Sequence, residues 1–147
     1  MKKPIYEYKD GCATCIAEDS MGRKFIGKAY CAKEDEDFQN ELTGLTIAEM
    51  RAKIEAVKTY RNDLKIKLSA LNQLLYSMNQ SQYFDPKSYQ AKMLYRQIKS
   101  LKFDLDIAKH QLASSKLDLY EFIRDKEEMY QRIRKRRERD ANMPIDE

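Results

Sequence analysis

Apolar side chains recur between residues 47 and 78 at steps of three and four. They are Ile47, Met50, Ile54, Val57, Leu64, Leu68, Leu71, Leu75 and Met78, with Arg61 in the single polar gap. An α-helix completes a turn every 3.6 residues, so this rhythm gathers one stripe on one face and predicts a coiled-coil seam. A second stripe follows at Leu94, Ile98, Leu101, Leu105, Ala108, Leu112, Ser115, Leu119, Phe122, Lys126, Met129 and Ile133. Thr46-Ile47-Ala48-Glu49 has the form of a capping box, and Gly44 upstream breaks any earlier helix, so the first helix starts near Ile47. Asp85-Pro86 supplies a helix cap and first helical residue for the second, which runs to about Arg139. The short connection between them makes the helices antiparallel neighbours. Helix 2 then exceeds helix 1 by about five turns at 3.6 residues each. Its overhang is roughly Tyr120 to Arg139.

The first forty-five residues follow a different pattern. Residues 1–10 read as a polar lead-in. Cys12–Glu18 and Lys24–Cys31 read as strands joined through Asp19-Ser20-Met21-Gly22, a good turn sequence. A two-stranded hairpin is marginal alone and needs a helix to lean on. The overhang offers one, with Phe25, Ile26 and Tyr30 packing on Phe122, Ile123 and Tyr130. The fold class is mainly α: an N-terminal β-hairpin head plus a long antiparallel helical hairpin, a coiled coil. Residues 1–45 form the head with an acidic loop, and 46–147 the coiled-coil hairpin with a basic C-terminal segment. The acidic run Glu34-Asp35-Glu36-Asp37 lacks the alternating ligands and glycine turn of a calcium loop, and reads as solvated.

Composition agrees with long helices. Charged residues make up 35% of the chain, mean hydropathy is −0.80, and there are only four glycines and three prolines. Residues 1–45 hold seven basic and nine acidic side chains, 46–84 six and three, and 85–147 fifteen and twelve. The net charge of +4 is too mild to argue for nucleic acid by itself; only clustering of the cations could. Off-seam apolar residues Ile66, Leu74, Phe103, Ile107 and Leu117 widen the stripes beyond what one hairpin covers, which predicts a homodimer, such as a four-helix bundle. No run of about 18 apolar residues appears, so no membrane span is expected. The N-terminus has no signal-peptide core, and three cysteines suit a reducing cytoplasm.

Enzyme motifs are missing: there is no phosphate-binding glycine loop, nucleophile elbow or helical histidine pair. No catalytic residue and no cofactor is expected. Cys12-x-x-Cys15 with Cys31 supplies three thiols, but zinc needs a fourth ligand, and the only histidine, His110, lies on the second helix. A structural role for the cysteines is preferred over a metal site. Two surfaces are candidates for binding. Tyr76, Tyr83, Phe84 and Tyr89 cluster around the helix connection, and exposed tyrosines are favoured interface anchors. Arg132, Arg134, Lys135, Arg136, Arg137 and Arg139 form the one concentrated basic run. It suits nucleic acid, an acidic partner, or simply a solvated helix end favoured by the macrodipole.

Residues 25–51 carry Phe25-x-Gly27-x-Ala29-x-Cys31, then Asp35, Phe38, Glu41, Gly44, Ile47-Ala48 and Arg51. This stretch, about a fifth of the chain, resembles small phage and prophage proteins of Gram-positive bacteria. In them a β-hairpin ending in Gly-x-Ala-x-Cys leads through an acidic stretch into a helix. The resemblance implies a phage accessory role in the bacterial host cell. The expected function is non-catalytic binding, with inhibition of a host or antiviral-defence protein. The alternatives are nucleic-acid binding through the basic helix end and a coiled-coil structural or assembly role.

Overall fold

The computed structural model describes residues 2–31 and 40–143. The acidic run Glu34–Asp37 lies outside the described residues, as does Pro144. Three strands, β1 (Ile5–Lys9), β2 (Cys12–Glu18) and β3 (Lys24–Tyr30), precede two long helices, α1 (Glu41–Asn79) and α2 (Tyr89–Ala141). The chain forms two compact units, one of Met1–Glu55 with Ser115–Glu147, the other of Ala56–Ser114.

The expected hairpin is a three-stranded antiparallel sheet in the order β1-β2-β3. Residues 5–9, expected as lead-in, pair with β2 from Ile5↔Ile16 to Lys9↔Cys12. The signal for this strand is the dipeptide Asp10-Gly11. Both residues hold positive φ, 52° and 77°, the backbone of a two-residue turn that matches the natural twist of paired strands. The second turn is as expected. The Gly22 amide donates to the Asp19 carbonyl at 3.1 Å, and Gly22 takes φ +81°. The Asp19 carboxylate accepts from the Met21 and Arg23 amides, each at 2.9 Å, and from Arg23 Nε at 2.7 Å.

Strand alternation then divides the sheet into two faces. Tyr6 and Tyr8, Ala13, Cys15 and Ala17, and Phe25, Gly27 and Ala29 share one face through the registers Tyr6↔Cys15↔Gly27 and Tyr8↔Ala13↔Ala29. Small residues dominate it, and the first turns of α1 lie close against it. Ala13, Cys15 and Ala29 are buried with Ala48 and Ala52 of α1, flanked by Tyr8, Ala17, Leu45 and Ile47. A Cβ on Gly27 would fall inside contact distance of the Ala48 carbonyl oxygen and 2.5 Å from the Ala52 amide nitrogen. The helix backbone therefore rests directly on the strand, and only glycine fits there. Arg51 pins the same approach by donating from Nη1 to the Lys28 carbonyl at 2.6 Å. The packing differs from the expected aromatic one. Ile26 and Tyr30 fall on the opposite face and are exposed, because the pleat sends alternate residues outward.

Helix α1 begins at Glu41, six residues before the expected start at Ile47. Asn40 caps it, accepting from the Thr43 amide at 3.1 Å. Thr46 is interior and donates its hydroxyl back to the Leu42 carbonyl at 2.7 Å. Gly44 is helical too, and the nearby Ala13 Cβ, 3.1 Å from where a Gly44 Cβ would stand, accounts for the small residue. Asp85-Pro86 forms a turn of its own, with the Ser88 amide donating to the Asp85 carbonyl at 3.0 Å. The helix restarts after Ser88, whose hydroxyl accepts from the Ala91 amide at 3.2 Å.

The stripes are legible in burial. Ile54 and Leu64 on α1, and Leu94, Ile98, Leu105, Ala108 and Leu112 on α2, are buried. The remaining seam positions are half-buried, except Met129, which is exposed. In the unit Ala56–Ser114, Leu64 packs with Leu105 and Ala108, joined by Leu68 and Leu101. Arg61, in the gap of the α1 stripe, is half-buried, and its Nε is buried with no hydrogen-bond partner.

Candidate binding surfaces

The unit Ala56–Ser114 carries the aromatic group. Helix α1 ends in a tight sequence of turns: the Ser81 amide donates to the Met78 carbonyl and the Phe84 amide to the Ser81 carbonyl. The Ser81 hydroxyl accepts from the Tyr83 amide, and the Asp85 carboxylate from the Lys87 amide. These bonds fix the backbone that presents Tyr83, which is 86% exposed. Tyr76, on the last turns of α1, is 68% exposed, and Tyr89, opening α2, 73%. Phe84 alone of the four is half-buried. Tyr76 also borders an open groove along α1 with Leu68, Ser69, Asn72 and Gln73. The same unit exposes Ile66, Leu74, Phe103 and Ile107, the off-seam residues noted in the sequence. Leu117 of α2, in the other unit, is exposed as well.

The basic run lies on α2 in the unit that holds the sheet, and the helix divides it. Arg132, Lys135, Arg136 and Arg139 stand at i, i+3, i+4 and i+7, one face of the helix, and all four are exposed. Arg134 is half-buried, and both Arg134 and Arg137 are engaged in interactions. Upstream the helix mixes signs: Arg124 reaches Asp125 at 3.7 Å and Glu128 at 4.0 Å, and Glu128 reaches Arg132 at 3.8 Å.

In that same unit a cavity of about 250 Å³ opens between the sheet, the start of α1 and α2. Tyr8, Tyr30, Arg51, Ile123, Lys126 and Tyr130 are among its walls. It was not foreseen from sequence; the nearest signal was the Asp10-Gly11 turn, which brings β1 and hence Tyr8 into place. Beside the sheet, the Glu49 carboxylate pairs with Lys53 at 3.1 Å and accepts a hydrogen bond from Tyr6. Burial, then Glu49, raises the Tyr6 pKa. Burial, followed by Glu49 and opposed by Lys53, pushes the Cys15 thiol up, which keeps it protonated. Glu49 thus serves the sheet contact and not the expected capping box.

The cysteines are separated by the pleat. Cys12 and Cys15 are three apart on one strand, so their side chains leave opposite faces; Cys15 is fully buried, and Cys12 and Cys31 are half-buried. Among the described residues no three histidine, cysteine or acidic side chains are grouped to hold a metal. No helix among them is long and apolar enough to cross a membrane. His110 is exposed on α2.

Comparison of the chain with protein-family models, with curated proteins and with solved structures finds no match in any of the three.

Proposed function

We propose that this protein acts without catalysis, by binding another protein through the tyrosines around the α1–α2 connection. The observation that carries the reading is the exposure of Tyr76, Tyr83 and Tyr89 on a backbone held by its own turn hydrogen bonds. A tyrosine offers a large, rigid contact area with few rotatable bonds, so burying it costs little entropy. Three such residues, left in water in one unit, have no role in its core and suit an interface centre. In this reading the two helices form an antiparallel coiled-coil hairpin, supported by the packing of Leu64 with Leu105 and Ala108. The exposed Ile66, Leu74, Phe103 and Ile107 serve a second copy of the chain, giving a homodimer. The resemblance of residues 25–51 to phage proteins supports a bacterial host or antiviral-defence factor as the partner, inhibited in the host cytoplasm.

The test is affinity capture from bacterial lysate with the wild-type chain and with the Tyr76→Ser, Tyr83→Ser, Tyr89→Ser triple variant. The reading expects one protein retained by the wild type and released by the variant, whose helical content is unchanged. Equal retention by both removes the tyrosines from the interface. Sedimentation equilibrium checks the dimer separately, and a monomer at micromolar concentration would exclude it.

A further inference from the structure

We propose that the exposed face of α2 formed by Arg132, Lys135, Arg136 and Arg139 binds the phosphodiester backbone of nucleic acid, independently of sequence. Three observations separate this face from an ordinary solvated helix end.

The first is its composition. On a solvated face, cations alternate with carboxylates so that i,i+4 partners attract. Ion pairs of that kind form upstream, where Glu128 lies between Arg124 and Arg132, and among the described residues none is formed by the cations of this face past Arg132. Beyond it the face contains four like-charge neighbours at i,i+3 or i,i+4: 132–135, 132–136, 135–139 and 136–139. Each is repulsive in an isolated helix. Glu138 and Asp140 lie on its flanks, yet Lys135, Arg136 and Arg139 form no ion pair among the described residues.

The second concerns the helix dipole. Its influence fades within the last turn, and α2 ends at Ala141. Arg139 falls in that turn; Arg132, Lys135 and Arg136 precede it and gain nothing from the dipole.

The third is the division of the run. Arg134 and Arg137 are already engaged within the protein. The other four cations, of which Arg132 also reaches Glu128 at 3.8 Å, project from one face over two helical turns, about 10 Å at 1.5 Å per residue. That span covers two to three successive phosphates of one strand, and three of the four residues are arginine, whose fork matches phosphate oxygens in pairs. With the cations of this face on phosphates rather than on base edges, affinity should come from counterion release and fall with salt.

The experiment is a salt titration of the full chain against a fluorescent 20-base-pair DNA of mixed sequence, followed by anisotropy. Two to three phosphate contacts give a slope of about −1.8 to −2.7 in log affinity against log salt, a loss of about 12- to 40-fold between 50 and 200 mM. On single-stranded DNA the slope falls to about −1.4 to −2.1, or about 7- to 18-fold. The Arg132→Ala, Lys135→Ala, Arg136→Ala, Arg139→Ala variant should lose binding while keeping its helical circular dichroism. A charge-matched control, Lys65→Ala, Lys67→Ala, Lys99→Ala, Lys102→Ala, should retain it. Absence of binding at 50 mM salt overturns the proposal, as does equal loss in the control, which would reduce the effect to net charge. Equal affinity for poly-glutamate also overturns it and assigns the face to an acidic protein. The protein-binding reading depends on tyrosines in the other unit, so either can fail without the other.

Discussion

Replacing Gly27 by alanine adds a single methyl group where the structure has no space for one. The new Cβ meets the Ala48 carbonyl oxygen and stands 2.5 Å from the Ala52 amide nitrogen. Both are backbone atoms of α1, so no side chain can rotate aside, and the helix must lift from the sheet. Overpacking of a core generally costs about 1–3 kcal/mol; a rigid backbone on the receiving side places this change at the top, about 3 kcal/mol. The effect is best read locally, at Cys15, which is fully buried beneath the same contact. With Cys12 and Cys31 changed to serine, the rate at which a thiol reagent labels Cys15 reports how often sheet and helix separate. A loss of about 3 kcal/mol multiplies that rate by about 150. Two other glycines calibrate the result. A Cβ on Gly22 would meet only Glu18 Oε1, at an ordinary 3.7 Å, but φ is +81°, so the cost of Gly22→Ala is the left-handed backbone, about 1 kcal/mol. Gly44→Ala gains about 1 kcal/mol of helix propensity against a 3.1 Å contact with the Ala13 Cβ, and should be near neutral. A Gly27→Ala protein that labels at the wild-type rate would refute the close-approach reasoning.

Three further perturbations separate the remaining terms. At Asp19, burial pushes the carboxyl pKa up, but the hydrogen bonds from Arg23 and Met21 outweigh it and hold it below its ordinary 3.8. The stability it supplies is therefore present above about pH 3.8 and lost as pH falls through the lower folded value. Acid titration of Asp19→Asn should lack this component, and an identical acid transition would contradict the assignment. Arg61→Leu removes a buried, unpaired Nε and completes the apolar stripe, which should stabilise the Ala56–Ser114 unit by roughly 1–3 kcal/mol. A lowered urea midpoint would show that Arg61 holds a contact the stripe needs. Leu64→Ala opens a void between Leu105 and Ala108 and should cost about 2–5 kcal/mol, measured by the same denaturation; a cost under 1 kcal/mol would mean that the two helices do not close around Leu64.

The two long helices were the most legible part of the chain, because a 3.6-residue period sustained over many turns has no competing reading. Every seam position but Met129 is at least half-buried, including Arg61 in its polar gap. Their starts were less legible. Thr46-x-x-Glu49 and Asp85-Pro86 satisfy local capping rules, but Asn40 and Ser88 hold the caps, and Glu49 pairs with Lys53 instead. The sheet was half-read: β2, β3 and their turn were visible, while β1 was hidden by its charges. Asp10-Gly11 was the available clue. The sheet–helix contact was missed for a physical reason. Its decisive residues, Ala13, Gly27, Ala29, Ala48 and Ala52, are small, and a search for large apolar side chains passes over them. Of the residues singled out around the helix connection, Tyr76, Tyr83 and Tyr89 are exposed and Phe84 is half-buried. The basic run could be divided into its exposed and engaged members only once the helix was placed.

The proposed function requires that the tyrosines around the α1–α2 connection meet a partner protein. The direct measurement is site-specific photocrosslinking, with a photoreactive phenylalanine in place of Tyr83 and, as a comparison, in place of the exposed Lys102. In bacterial cells a discrete adduct of one added mass is expected from position 83, absent from position 102 and lost on Tyr76→Ser, Tyr89→Ser. No adduct at position 83, or the same adduct from both positions, would contradict it.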